Sequence, residues 1–296
     1  MQKIAFFDLD GTLTSEKDKS IPQSTIDSIR KARANGNLMF INSGRVFIDI
    51  GPQFRNIGFD GYICGCGTNI ICGDKEIFHQ TISYTVIQEI LEAARRANVD
   101  LLFESKTALS FDITRPFIND HARKHYQRFV EDGYKMPTNY NSPDFTADKF
   151  VIWFDTKESL AEFRKTSDKY FECIERYEHF HEFVPYGITK ATGIQKVLDY
   201  YNLSNENTFA FGDSNNDLPM LNFVSTSIAM GNSNPETLFD KVTYRTAKAS
   251  EDGIKLAYED FLNNPKAQEN AQIIFKRRQW QYLKAVGADK YIGAII

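Results

Sequence analysis

The stretch IAFFDLDGTLTSEKD, residues 4–18, decides how the chain is read. Ile4-Ala5-Phe6-Phe7 is a continuous apolar run, as expected of a strand covered on both faces in a parallel sheet. Gly11 breaks the pattern. Strand alternation carried past the run would put Asp8 and Asp10 on one side and Leu9 on the other. Two carboxylates sharing one site raise each other's pKa unless a cation lies between them, so the pair suggests either a shared proton or a bound metal. An isolated Asp-x-Asp-Gly is also ordinary turn chemistry, and the rest of the chain has to decide.

Outward from this stretch, strand and helix alternate. QKIAFFD reads as a strand, and PQSTIDSIRKARANG as a helix with Pro22 near its first turn and Gly36 past its end. NLMFINSG and DGYICGCG follow as further strands. This alternation predicts a doubly wound, Rossmann-like parallel sheet, which binds ligands at the carboxyl ends of its strands, where Asp8 and Asp10 sit. From about residue 82 to 186 the character changes. LLFES and ALSFD are too close for a crossover helix, so they pair antiparallel, and DKFVIWFD, FECIERYE and HEFVPYG add strands among helical segments. The parallel pattern resumes with GIQKVLDYYN, NTFAFGD, NDLPMLNF and TSIAMGN. The expected α/β organisation is a core of residues 1–81 and 187–262, an inserted α+β domain at 82–186, and a C-terminal helical extension at 263–296. In that extension Ile274, Trp280, Leu283 and Val286 would form an apolar stripe.

With 296 residues, 42% hydrophobic and 25% charged, the chain is globular and long enough for two modest cores. A net charge of −4 gives no basic footprint, so neither nucleic acid nor an anionic membrane is expected as a partner. No stretch approaches the ~20 apolar residues of a membrane span and no signal peptide is apparent, so a cytoplasmic location is expected. Three of the four cysteines, Cys64, Cys66 and Cys72, fall in ICGCGTNIICG. Their spacing, even with His79, matches no zinc pattern, and reduced packing thiols are the expectation.

Four short pieces stand out: DLDGT (8–12), INSGR (41–45), Thr189-Lys190 before a helix, and GDSNND (212–217) after a strand. In this order around an insertion they resemble the haloacid dehalogenase superfamily, specifically its Cof-type sugar-phosphate phosphatases, whose cap lies between the second and third motifs. The resemblance covers residues 1 to about 262. It implies a Mg²⁺-dependent phosphomonoesterase acting on small phosphorylated metabolites, sugar phosphates first among them, through an aspartyl-phosphate. Asp8 would be nucleophile and metal ligand, and Asp10 the general acid and base, contributing its main-chain carbonyl to the metal. Asp213 would be the third ligand, and Asp217, one helical turn on, would reach the site through a ligand water. Leu9, Ser43, Gly44, Lys190 and Asn216 would hold the phosphoryl group, with Arg45 at the site edge. The physics agrees with a metal: a carboxylate approaching a phosphate at ~4 Å meets roughly 4 kcal/mol of repulsion per unit-charge pair at an effective dielectric of 20. Hard oxygen ligands favour Mg²⁺.

The chain departs from the family at two points. Ser43 stands where Thr is usual, and Cys66-Gly67 where many relatives have Asn-Gly, so a polar contact near the substrate is expected to be lost. His121, Lys124, His125 and Arg128 share one face of a helix, opposite Ile118, Tyr126, Phe129 and Val130, and that basic face is expected to be solvated rather than to hold a second anion. Alternatives to hydrolysis are a sugar phosphomutase or phosphotransferase, or a non-catalytic sugar-phosphate sensor. The partner expected is a small phosphate ester, and the chain is expected to be a monomer or homodimer.

Overall fold

The computed structural model describes residues 2–259, and the expected extension at 263–296 lies outside the described residues. The strands are β1 (Ile4–Phe7), β2 (Leu38–Asn42), β3 (Gly61–Cys64), β4 (Asn69–Cys72), β5 (Lys75–His79), β6 (Asp100–Glu104), β7 (Leu109–Phe111), β8 (Lys149–Trp153), β9 (Phe171–Tyr177), β10 (Phe180–Pro185), β11 (Thr208–Ser214), β12 (Thr226–Asn234) and β13 (Tyr244–Arg245). The helices are α1 (Gln23–Ala34), α2 (Pro52–Arg55), α3 (Tyr84–Ala97), α4 (Asp120–Glu131), α5 (Lys157–Ser167), α6 (Lys190–Tyr201), α7 (Leu218–Phe223) and α8 (Gly253–Ala257). Two compact units form. Among the described residues, one holds residues 2–42, Arg55–Gly61 and residues 194–259; the other holds Ser43–Phe54 and Tyr62–Gly193.

The first unit carries the parallel sheet, in the order β13-β12-β11-β1-β2. β1 is its middle strand, with Ile4 opposite both Leu38 and Thr208 and Phe7 opposite both Ile41 and Phe211. Being covered on both faces is why its run is apolar without alternation, and Ile4, Ala5, Phe6 and Phe7 are all at most 2% exposed. Phe7 stacks on Phe211 with ring centroids 4.6 Å apart. β1 and β11 therefore end side by side, and Asp8 just after the one and Asp213 at the end of the other lie at the same edge of the sheet.

The second unit carries β3, β4 and β5 in that order and a separate antiparallel sheet, β7-β6-β8-β10-β9. Alternation gives the latter two apolar faces. Leu101, Phe103, Phe150, Ile152 and Phe183 pack against α3 and α5 through Ile87, Ile90, Leu91 and Phe163. Leu102, Phe111, Val151 and Trp153 pack against Ala122 and Phe129 of α4, and also against Val46. The segment after β2 is thus pinned by its own apolar residue to the antiparallel sheet. α4 corrects part of its expected pattern. His121, Lys124 and Arg128 are exposed, but His125 is half-buried with its ring 5.5 Å from that of Trp153, and Val130 is 51% exposed. The helix is rotated so that Ala122 and Phe129, seven residues apart, face the sheet. Burial of His125, helped by nearby Arg128 and His121, lowers its pKa.

Candidate active site

Asp8 directly follows β1, is 5% exposed, and donates its backbone N–H to Phe211 O at 3.0 Å. The strand does not continue through the acids. Leu9–Leu13 winds into one tight turn closed by Thr14 N to Leu9 O at 3.0 Å, with Thr14 Oγ1 accepting from Gly11 N at 3.2 Å. The alternation expected for Asp8 and Asp10 is therefore replaced by a turn, which buries Asp8 and leaves Asp10 exposed. The cause is Gly11, at φ +84°, where a Cβ would lie 2.4 Å from Asp213 Oδ2.

Asp213 is the last residue but one of β11, and its Oδ1 accepts from Thr12 Oγ1 at 3.0 Å. Asp217 is fully buried, and its Oδ2 accepts from the backbone N–H groups of Asp213 at 2.9 Å and Ser214 at 3.0 Å. Ser214 and Asp217 complete a reciprocal capping box, so Asp217 both starts the helical segment and fixes the loop that presents Asp213. The carboxylates of Asp8, Asp213 and Asp217 each offer an oxygen within 4.8 Å of the others. Asn216 is buried and its side chain accepts from Ser214 Oγ.

The remaining expected residues belong to the second unit. Ser43 is 2% exposed, its N–H donates to Ile63 O at 2.9 Å, and its Oγ accepts from Arg45 N at 3.1 Å. Arg45 Nη1 donates to Asp49 O at 3.2 Å, so the guanidinium braces its own loop. Lys190 opens α6 and is 1% exposed, which removes the reading of a solvated surface lysine. Thr189 and Thr192 cap one another around it, and Thr189 O lies 2.6 Å from where a Cβ on Gly67 would be.

Over residues 5–257 the sequence matches the family model of haloacid dehalogenase-like hydrolases. The chain belongs to this family. It is 28% identical over 264 residues to YkrA of Bacillus subtilis (strain 168), provisionally named a phosphatase, covering 87% of this chain and 97% of that protein. It is 25% identical to the 5-amino-6-(5-phospho-D-ribitylamino)uracil phosphatase YitU of the same organism, covering 83% of this chain and 93% of YitU. The solved structure of a HAD subclass IIB sugar phosphatase superimposes with a TM-score of 0.75 at 27% identity, covering 88% of this chain and 99% of that one. As a haloacid dehalogenase-like hydrolase with relatives of this kind, the chain is a phosphatase.

Within this hydrolase the acidic group fits a hard divalent cation. Oxygen ligands around an octahedral ion at ~2.1 Å stand about 3–4 Å apart, compatible with the 4.8 Å limit here, and all three donors are carboxylates. Without a cation, each pair at ~4 Å would repel by roughly 4 kcal/mol at an effective dielectric of 20. Three supporting residues escaped the sequence reading. Thr12 positions Asp213, and its only signal was its place in DLDGT. Asn232 donates to Gly11 O at 2.7 Å and accepts from Ala249 N at 3.0 Å, bracing the turn from 221 residues away without a local signal. Glu182 on β10 accepts from Cys66 Sγ at 3.4 Å, so the thiols are not all inert packing. Cys64, Cys66 and Cys72 are buried free thiols, and burial raises the pKa of Cys64 and Cys66, keeping them protonated.

No helix among the described residues is long and apolar enough to cross a membrane.

Proposed function

We propose that the chain is a Mg²⁺-dependent phosphomonoesterase that hydrolyses small phosphorylated metabolites, sugar phosphates first among them, through an aspartyl-phosphate on Asp8. The observation that carries the reading is the convergence of Asp8, Asp213 and Asp217 at the ends of two neighbouring strands. A bound divalent cation would neutralise charge on the incoming phosphate; Asp8, Asp213 and the Asp10 carbonyl would hold it, with Asp217 reaching it through water. Asp8 attacks phosphorus, forming an O–P bond as the ester O–P bond breaks, and Asp10 protonates the departing oxygen. Water then attacks the phosphoryl group, Asp10 takes its proton, and inorganic phosphate leaves with Asp8 restored. The exposure of Asp10 suits this exchange, since it must meet both leaving group and water. Leu9, Ser43, Gly44, Lys190 and Asn216 hold the phosphoryl oxygens, with Lys190 supplying a positive charge that its burial keeps from being dissipated by solvent.

The inserted segment 82–186 would act as the cap that shapes the organic part of the site. The test is to incubate the protein with a panel of sugar phosphates and Mg²⁺, scoring free phosphate against isomerised product. Stoichiometric phosphate release supports the reading; isomerisation without release would make the chain a mutase, and binding without either would make it a sensor.

A further inference from the structure

The antiparallel sheet brings four charged side chains together, three of them buried and the fourth, Arg176, partly exposed. Lys149 Nζ pairs with Glu104 and, at 2.9 Å, with Glu182 Oε1, while Arg176 Nη1 stands 3.9 Å from Glu182 Oε2. Glu104, Lys149 and Glu182 are each no more than 9% exposed. Taking such ions out of water is unfavourable, and replacing a buried ion pair by apolar residues is often neutral or stabilising, which argues for a role beyond structure. Register explains how they meet. Glu104 lies opposite Lys149, and alternation puts Glu182 on the same face, while β9 slips register beside Arg176. A bulge of that kind re-aims a side chain.

The cluster faces the loop that carries Ser43 and Gly44. A Cβ on Gly44 would lie 3.2 Å from Glu182 Oε1 and 3.5 Å from both Glu182 Oε2 and Cys66 Sγ, so the glycine leaves that space open. Glu182 Oε1 is served by Lys149 and Cys66, whereas Oε2 accepts no hydrogen bond from a described residue and stands 3.9 Å from Arg176 Nη1. A carboxylate oxygen of a residue only 4% exposed, with no hydrogen-bond donor of its own among the described residues and beside the loop assigned to the phosphoryl group, is placed to receive a donor from the ligand.

We propose that Glu182 is a specificity-determining residue whose Oε2 accepts a hydrogen bond from a hydroxyl on the organic part of the phosphate ester, selecting polyol and sugar phosphates over unsubstituted alkyl phosphates. The inference rests on the phosphatase reading above and deepens it. Burial by itself would raise the Glu182 pKa, but Lys149 and Arg176 overcome this and hold it at about 2, so the acceptor is ionised throughout the working pH range. Cys66, at φ 60°, occupies a left-handed position that Asn tolerates better, and there its thiol touches Glu182.

The test compares kcat/KM for matched pairs, glucitol 6-phosphate against n-hexyl phosphate and glycerol 3-phosphate against n-propyl phosphate, in wild type, Glu182→Gln and Glu182→Leu. Wild type is expected to favour the polyol esters, and the preference should fall at least ten-fold in both variants, mainly through KM. A preference within two-fold of wild type in folded Glu182→Gln, which is isosteric and retains Lys149 paired with Glu104, overturns the inference while leaving the phosphatase reading intact. Titration of the same esters into Asp8→Asn protein with Mg²⁺ separates the two readings. Should wild type release no phosphate, the phosphatase reading falls, and the inference survives only if Asp8→Asn binds polyol esters at least ten-fold tighter than alkyl esters and loses that preference with Glu182→Gln.

Discussion

Replacing Gly11 by Ala isolates the contact on which the acidic group depends. The new Cβ would lie 2.4 Å from Asp213 Oδ2 and 2.8 Å from its Cγ, whereas ordinary contact begins at 3.4 Å. The carboxylate therefore has to retreat by about 1 Å, and a misplacement of that size costs on the order of 10²-fold in turnover. The retreat also strains the hydrogen bond from Thr12 Oγ1 and changes the spacing of Asp213 within the acidic group. Separately, a non-glycine residue at φ +84° costs roughly 1–2 kcal/mol of stability. Gly36 supplies the control: its φ is +81°, yet nothing lies within 4 Å of an added Cβ. Gly36→Ala should lose similar stability with turnover unchanged, while Gly11→Ala should lose about 10²-fold in kcat/KM and require more Mg²⁺ for half-maximal rate. Phosphate release at varied Mg²⁺, with thermal unfolding followed by circular dichroism, reads both effects. Gly11→Ala with kcat/KM within three-fold of wild type and an unchanged Mg²⁺ requirement would refute the reasoning.

Asp8→Asn should abolish turnover while preserving the fold, because the amide is a far weaker nucleophile; steady-state phosphate release above background in that protein would count against the assignment. Asp10→Asn should accumulate phosphoenzyme with activated esters, since water activation needs that carboxylate, and acid-quenched labelling would detect it. Lys190→Met keeps the buried volume but removes the charge, so kcat/KM should fall by about 10²–10³, as when one oxyanion donor is lost; a change under five-fold would place the lysine outside the phosphate site. The stability difference between wild type and Glu182→Gln should shrink on acidification. A carboxyl held at about 2 contributes stability that is fully present above its unfolded pKa of ~4.3 and is lost as pH falls toward 2, which urea unfolding at pH 6, 4 and 2.5 would follow.

The acids at strand ends were legible because their signal is local. An apolar run closed by Asp8, and a second closed by Asp213, are patterns set by burial on both faces and by the loss of that burial at the sheet edge. The antiparallel insertion was legible for the same reason, since strands a few residues apart have no room to cross over. Tertiary structure alone decided the rest. The turn at Leu9–Leu13 overrode the alternation expected of Asp8 and Asp10, because Gly11 lies against a carboxylate from a strand about two hundred residues away. Whether Lys190 was solvated or buried depended on how its helix end packed on the Gly67 loop. His125 turned from solvent to Trp153 because the sheet, and not the helix's own periodicity, selected the buried stripe. Cys66 and Glu182 are 116 residues apart and look like packing and a solvated strand charge, and they meet only because the turn after β3 and strand β10 both pack beside Gly44. A residue's periodicity reports which side it shares with its neighbours, whereas the partner across that side is set by long-range pairing, which local pattern does not carry.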